Sequence, residues 1–399
     1  MGDDEPRNVK ELLVEAKDAS ELLVDIAYAA VFFNEEDLAG EVEKLEERMD
    51  GYLRRLRTLA ILAARSPEDA EAIEPVLWIA AAIDKIGDAA SDIGRVVAAG
   101  LGIPDALRSD LRHADEVSGR VKVREGSQAV GASLRDLSLP TETGIWVLAI
   151  RRGRDWEFDP GPDSVVSEGD VLLYQGPEEG VNLVREVAGA PPLPPAPETE
   201  TPPLSELDRA VDILVEMKNI SEVAVGLAYS CLLFNDRSLA AEVATLEARS
   251  DMLHDELESW VLRASPEARN PDDLRGLLRL GAASEAICDA ARDMTWYVEH
   301  GEELHPVIQM ALEETEETAT ETIIEEGSTA EGRSLRDLQL ETETGMFVLA
   351  VQRGRRWVYH PRGRFEVQAG DRIIAVGPEE GGEALEALCR VTQPVTETG

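Results

Sequence analysis

Lysine is nearly missing from this chain. Of 39 basic residues among 399, only Lys10, Lys17, Lys44, Lys85, Lys122 and Lys218 are lysines, and bases of either kind are outnumbered by 80 acids, for a net charge of −41. Such a charge disfavours nucleic acid and anionic membrane surfaces as bulk partners. Spread over a folded protein, it suits a very salty cytosol, where screening over a few ångströms removes the self-repulsion. The acids are dispersed along the chain rather than gathered in tails, which argues against an acidic ligand buffer. Cysteine is scarce as well. Cys231, Cys288 and Cys389 show no pairing pattern and no metal-ligand spacing, so they are expected to be reduced and to serve as small apolar residues. Long apolar runs are lacking. The longest candidate, Val76 to Ile83, stops at Asp84 and Lys85, well short of the ~18 residues that a membrane span needs. The start, Met1-Gly2-Asp3-Asp4-Glu5-Pro6, has neither a basic nor an apolar stretch, so no signal peptide is expected and the location is expected to be cytoplasmic, peripheral at most to a membrane transporter.

Catalytic signatures are also missing. No Gly-x-Gly-x-x-Gly follows a strand, so NAD is not expected, and there is no P-loop and no Gly-x-Ser-x-Gly. His113, His254, His300, His305 and His360 are scattered, unmatched between the halves of the chain and without ligand spacing. No enzyme is expected.

What the chain does have is a repeat. Residues 12–187 return at 213–388 with a constant offset of 201: Leu134-Arg135-Asp136-Leu137 as Leu335-Arg336-Asp337-Leu338, and Gly176-Pro177-Glu178-Glu179-Gly180 as Gly377-Pro378-Glu379-Glu380-Gly381. A period this long means a duplicated module of about 180 residues, not a solenoid. The apolar fraction of 43% is enough for real cores.

The first half of each module has helical periodicity. Leu12, Ala16, Ala19, Leu23, Ile26, Ala30 and Phe33 step by four and three, as do Leu38, Val42, Leu45, Met49, Tyr52, Leu56, Leu59 and Ala63, and then Ile79, Ile83, Ile86, Ala90, Ile93 and Val97. The spacing predicts three long helices packed at shallow angles, and the second copy keeps the seams from Ile213 through Trp260. Asn34 with Glu35, Glu36 and Asp37 suggests one helix start, and Ser66-Pro67-Glu68-Asp69 another. The second half has strand-length apolar runs at 145–150 and 171–174, repeated at 346–351 and 373–376. Hairpin turns are marked by Arg152-Gly153-Arg154 and Arg353-Gly354-Arg355. The expected order is strand, helix, three strands, helix.

The fold class is therefore α+β in two tandem modules, each a three-helix antiparallel bundle followed by a small α/β domain. The expected boundaries are a flexible start (1–8), a helical unit (9–103), an α/β domain (114–188), a Pro-rich linker (189–204), a second helical unit (205–302), a second α/β domain (315–390) and a disordered tail (391–399). About fifteen linker residues at ~3.1 Å each span roughly 45 Å, enough for the modules to pair side by side as an intramolecular pseudo-dimer, with a homodimer as the alternative.

Two family patterns fit these residues. Glu125-Gly126-Ser127, Ser133 to Leu137, Arg152, Pro160 and Gly169-Asp170 to Gly176, repeated as Glu326-Gly327-Ser328, Ser334 to Leu338, Arg353, Pro361 and Gly370-Asp371 to Gly377, resemble the ligand-binding TrkA-C (RCK-C) domain of potassium-conductance regulators. Glu46-x-x-x-Asp50 with Ile86-Gly87-Asp88-Ala89-Ala90-x-Asp92, and Glu247-x-x-x-Asp251 with Ile287-Cys288-Asp289-Ala290-Ala291-x-Asp293, resemble half of a PhoU protein. The combination is similar to soluble archaeal proteins that join the two. This resemblance implies a cytosolic regulator that senses a small anionic ligand, in some relatives a cyclic dinucleotide held between paired domains, and modulates a cation channel or transporter, most often for potassium. The alternative it implies is a PhoU-type metal-binding regulator of phosphate uptake or signalling.

Two residue sets are candidates for the site. Glu46, Asp50, Asp84, Asp88 and Asp92 recur as Glu247, Asp251, Glu285, Asp289 and Asp293, whereas Glu36, Asp37, Glu43 and Glu47 drifted to Arg237, Ser238, Ala244 and Ala248. Acids four apart share a helical face and repel unless a cation sits among them, so a divalent metal is one reading and a capped or salt-adapted surface the other. Lys17 and Lys218 also persist and offer a neutralising charge. Arg151, Arg152 and Arg154, with Arg353, Arg355 and Arg356, gather scarce bases at one hairpin in each copy, as a phosphate site requires; a solvated turn is the alternative. Trp156 and Trp357 beside them either stack on a base or pack the sheet.

Overall fold

The structure, a computed structural model, describes residues 8–102, 104, 107, 117–153, 155–158, 160–193, 205–266, 271–340 and 344–391. The chain start before Asn8, Arg154, His113, most of the Pro-rich linker and the tail after Val391 lie outside them. The chain divides into two compact units, and each takes a segment from both copies: residues 1–114 with 195–315, and 115–194 with 316–399.

The first unit is helical. In the first copy α1 spans Val9–Phe33, α2 Glu36–Ala63 and α3 Pro67–Ala98. The caps follow local chemistry. The Asn8 side chain accepts from the Glu11 N–H, and Ser66 accepts from the Asp69 N–H one residue before Pro67. Asn34 corrects the expected helix start: it closes α1 in the left-handed region (φ 50°) and donates its N–H back to α1, a conformation that asparagine tolerates better than most residues. After β1 (Val117–Lys122), α4 (Leu134–Leu137), α5 (Leu139–Thr143), β2 (Trp146–Arg152), β3 (Asp155–Phe158), β4 (Val171–Gly176) and α6 (Glu178–Val187), the second copy begins with α7 (Glu206–Phe234), α8 (Arg237–Ala264), α9 (Pro271–His300) and the short α10 (Pro306–Leu312). Each trio packs its predicted seam inward, with Leu12, Leu23, Ile26, Leu38, Leu56, Ile83 and Ile93 almost fully buried in the first.

The two trios form one body. α3 packs along α9, and α10 packs against both α1 and α7. Tyrosines bond across the copies with different partners: Tyr229 Oη lies 2.8 Å from Ser20 Oγ, and Tyr28 Oη lies 2.8 Å from Ser284 Oγ. The lysine contacts are reciprocal under the 201-residue offset. The Lys17 ammonium sits 5.7 Å from the Tyr229 ring centre, and that of Lys218 sits 5.6 Å from the Tyr28 ring. Both lysines are buried, and each is paired with an acid one turn on, Glu21 at 2.6 Å and Glu222 at 2.6 Å.

The second unit holds the two α/β domains. Continuing the chain, they are completed by β5 (Thr318–Ile323), α11 (Leu335–Leu338), β6 (Phe347–Arg353), β7 (Arg356–Tyr359), β8 (Arg372–Gly377) and α12 (Glu379–Cys389). The sheets run β1-β4-β2-β3 and β5-β8-β6-β7, antiparallel throughout, and both carry a register shift in the second strand, between Val147 and Ala149 and between Val348 and Ala350. One face of each sheet makes a core with the closing helix: Val121, Ile150, Leu172 and Tyr174 with Val181 and Val184 in the first, Val351, Ile373 and Ala375 with Leu385 and Cys389 in the second. Gly180 and Gly381 let that helix approach so closely that an added Cβ would stand 2.0 and 2.1 Å from the carbonyls of Thr143 and Thr344. The short α5, opened by Leu139 and Pro140, was not anticipated from the periodicity, because one turn is too brief to show any. Burial pushes the thiols of Cys231 and Cys288 up to about 12 and that of Cys389 up to about 11, as befits inert apolar packing.

Candidate functional site

The carboxylates of the helical unit lie in two matching pairs of antiparallel helices, α2 with α3 and α8 with α9. In the first copy burial raises the Glu46 pKa, with Asp88 and Asp50 adding to it, and burial followed by Asp84 and Asp92 raises that of Asp88. The outer acids of this set are held by arginines: Asp84 by Arg57 at 2.5 Å, Asp50 by Arg54 at 3.2 Å and Asp92 by Arg95 at 2.7 Å. In the second copy Glu247, Asp251 and Asp289 bring one oxygen each within 4.8 Å of the others. Burial raises the Asp289 pKa, Asp251 and Glu247 raise it further, and Lys85 opposes them. The remaining two acids are turned to bases. Glu285 lies 3.9 Å from His254 Nδ1, and Asp293 accepts from Lys85 of the other copy at 2.5 Å. Arg292 also donates to Glu247 at 2.9 Å. Of the five predicted acids in this copy, the geometry thus brings three together, and three hard oxygens on two rigid helices match a divalent cation that fills its other positions with water. Sequence reasoning missed Lys85, Arg57, Arg292 and His254, because a base that serves a face from a neighbouring helix has no fixed spacing to it.

The predicted arginines separate into different roles. Arg152 donates from Nε and Nη2 to the two carboxylate oxygens of Asp170 at 3.1 and 2.8 Å and to the Val165 carbonyl at 2.9 Å. Arg353 does the same to Asp371, at 2.7 and 2.6 Å, and to the Glu366 carbonyl at 2.7 Å. Both aspartates are about 1% exposed and also accept a backbone N–H, from Ser167 and Gln368. These two arginines clamp the second strand of each sheet to the turn before the last. Arg355 and Arg356 are exposed at the second hairpin. Arg151 lies on β2 with its guanidinium 5.4 Å from the Trp156 ring, and Trp156 stacks on Phe158 at 5.5 Å. A residue absent from the sequence prediction joins it: Arg120 on β1, half-buried, whose pKa is pushed down to about 10 by burial and then by Arg151. Its isolated position in sequence hid it; only the strand order brings it near the hairpin.

Comparison with known proteins matches both halves of each module. The PhoU domain family matches residues 13–97 and 214–297, and the TrkA-C domain family matches 119–189 and 320–390. Among solved structures, PhoU from Pseudomonas aeruginosa is similar at 16% identity over 73% of this chain and 96% of that one, with a TM-score of 0.41. The RCK_C domain dimer of S. agalactiae BusR, solved with c-di-AMP, is similar at 26% identity over 18% of this chain and 95% of that one, with a TM-score of 0.18. The GsuK channel bound to NAD is similar at 13% identity over 69% of this chain and 53% of that one, with a TM-score of 0.18. No helix among the described residues is long and apolar enough to cross a membrane.

Proposed function

From a chain that carries two PhoU domains and two TrkA-C domains, we propose that this is a regulatory protein that binds a small anionic ligand on its α/β domains and passes that state through its helical unit to a membrane cation channel or transporter, for potassium. The observation that carries the reading is the gathering of the half-buried Arg120 on β1 and Arg151 on β2 beside Trp156, where burial and then Arg151 lower the Arg120 pKa, in a chain of net charge −41. Guanidinium forks beside an aromatic ring suit a phosphate-bearing anion. A ligand that shifts a regulator must bind two arrangements of the domains with different affinity, and domains drawn from both copies into one unit provide an element able to adopt them. Calorimetric titration of the full chain in molar KCl with cyclic dinucleotides and mononucleotides tests this. Saturable binding is expected, and a flat titration with every nucleotide would overturn it.

The convergence of Glu247, Asp251 and Asp289 favours a second reading, a metal-binding regulator of phosphate uptake or signalling. Here the helical unit takes up a divalent ion between α8 and α9. Elemental analysis of purified protein before and after dialysis against Mn2+ or Mg2+ distinguishes the readings. Retained metal that is lost in Asp289→Asn supports the second one, and protein that ignores both ions removes its basis.

A further inference from the structure

Each sheet ends on the third strand of its module, β3 in the order β1-β4-β2-β3 and β7 in the order β5-β8-β6-β7. An end strand offers a row of main-chain N–H and C=O groups to whatever lies beside it. A two-residue loop closes both hairpins, with Arg152 against Asp155 and Arg353 against Arg356. Antiparallel bonding alternates along a strand. Glu157 in β3, and Arg356 and Val358 in β7, therefore bond inward, while the backbones of Trp156 and Phe158 and of Trp357 and Tyr359 turn outward. The His360 N–H, which donates inward to the Leu349 carbonyl at 2.9 Å, continues the same alternation. The charges on these two edges differ. From Gln352 to Phe365 the second copy carries Arg353, Arg355, Arg356, Arg362 and Arg364 and no acid. The matching residues 151–164 carry Arg151, Arg152 and Arg154 against Asp155, Glu157, Asp159 and Asp163. Arg353 is committed to Asp371, but Arg355, Arg356 and Arg364 are exposed. Glu157 is exposed too and accepts from Ser164 Oγ at 2.5 Å, and Asp163, 3.2 Å from Arg135, is 88% exposed.

Charge on an end strand ordinarily keeps copies of a protein apart, which works when the edges that would meet carry the same sign. Here one edge is basic and the other acidic, so each attracts the other's counterpart on a second molecule. We propose that the partner of the basic edge is a second copy of this chain: β7 of one molecule adds to β3 of another through main-chain hydrogen bonds at the outward-turned residues, joining two sheets into one. The antiparallel register that sets Glu157 against Arg356 also sets Trp156 against Trp357. One side of the joint then carries an ion pair and the other an aromatic pair. Because every chain has one edge of each sign, the contact is heterologous, and two chains close through two such joints or continue in a line. The net charge of −41 opposes approach from a distance, and molar salt screens that repulsion over about 3 Å while groups in contact still attract. The inference does not depend on ligand or metal binding.

The test is analytical ultracentrifugation of the full chain in molar KCl across a concentration series, where a mass rising above that of one chain is expected. The variant Arg355→Glu with Arg356→Glu, and separately Glu157→Arg, are each expected to weaken association by at least about tenfold. Mixing these two variants, whose altered edges complement each other again, is expected to restore it. A disulfide gives a second readout that serves if a charge-reversed variant does not fold. The native cysteines are buried, and directly opposed residues of an antiparallel pair lie within disulfide reach. Oxidised together, the single variants Glu157→Cys and Arg356→Cys are expected to form a chain-to-chain crosslink that neither forms alone. A single-chain mass at every concentration, association unchanged in both charge-reversed variants, or a crosslink formed by one cysteine variant alone and not by the mixture overturns the proposal. So does a single-chain mass combined with binding to phosphatidylglycerol vesicles that is lost in Arg355→Glu/Arg356→Glu, which would give the basic edge to a lipid surface instead.

Discussion

In the helical unit the side chains of one copy depend on the other: Tyr229 bonds Ser20, Tyr28 bonds Ser284, and Lys85 reaches Asp293. In the α/β domains the strongest polar contacts stay at home: Arg152 holds Asp170, Arg353 holds Asp371, and Arg372 holds Glu321, each within its own sheet. The difference accounts for where the copies have drifted. A residue that faces its counterpart's neighbours across a shared interface is constrained twice, and so Lys17 and Lys218, Tyr28 and Tyr229, and Ser20 and Ser221 remain matched. On the sheet face arginine has been exchanged for glutamate, as at Arg120 and Glu321, and Arg372 of the same sheet supplies the partner of the new carboxylate.

The comparison breaks most visibly at the clamps. Replacing Arg152 or Arg353 by Ala strands a nearly fully buried aspartate; loss of one partner from a buried pair costs about 3–5 kcal/mol, and because these arginines are 54% and 38% exposed the lower end, about 3 kcal/mol, is expected. Because each clamp lies within one sheet, urea denaturation is expected to show similar losses for the two variants and an additive loss for both together. Lys17→Met and Lys218→Met are next, at roughly 2–3 kcal/mol, below the full figure because Glu21 and Glu222 retain some access to water. Here the double variant should depart from additivity, since each lysine lies over the tyrosine of the other copy. Additive lysines together with coupled clamps would invert the contrast. Tyr28→Phe and Tyr229→Phe each remove one buried hydrogen bond, for about 1 kcal/mol on thermal unfolding. Burial raises both hydroxyls far above the ordinary tyrosine range, so this loss is expected to be flat between neutral and mildly alkaline pH.

Much of this was legible before any coordinates. A constant offset over 176 positions exposed the duplication, the three-four spacing gave the helices, and the apolar runs with Gly-marked turns gave the strands. The regrouping of the halves was not, because an offset says which segments are alike and nothing about which ones pack. The candidate sites show the same limit. Arg152 stands beside Arg151 in the candidate anion set, yet its partner is Asp170, 18 residues on, joined by a register that periodicity does not reveal. Neighbours in sequence, Arg151 and Arg152, point to opposite faces of β2 for the same reason that alternation works at all. The carboxylate faces were easier to see, since i, i+4 spacing fixes a helical face, but the bases that neutralise part of each face come from other helices or other turns.

The smallest expected effect is also the one that separates the two acidic faces. Asp289 has its pKa raised by burial and by Asp251 and Glu247, so its charged form is disfavoured in the folded state relative to the unfolded chain. Above the raised value this penalty is fully present, and it disappears as pH falls through that value toward the ordinary aspartate range, where both states are protonated. Asp289→Asn should therefore be more stable than the parent at neutral pH by about 0.3–0.5 kcal/mol, the scale of a like-charge pair one turn apart, and the advantage should vanish on acidification. Asp88→Asn, whose site is raised by burial and by Asp84 and Asp92, should follow the same course. Manganese should then part them. If the three converging oxygens of Glu247, Asp251 and Asp289 take up the ion, added Mn2+ raises the parent's melting temperature and reverses the order of parent and Asp289→Asn, because a ligand bound only to the folded state stabilises in proportion to the logarithm of its saturation. Asp88→Asn keeps that second site and should still respond. A response lost in Asp88→Asn but kept in Asp289→Asn would place the ion on the first face instead and reverse the ranking of the two copies.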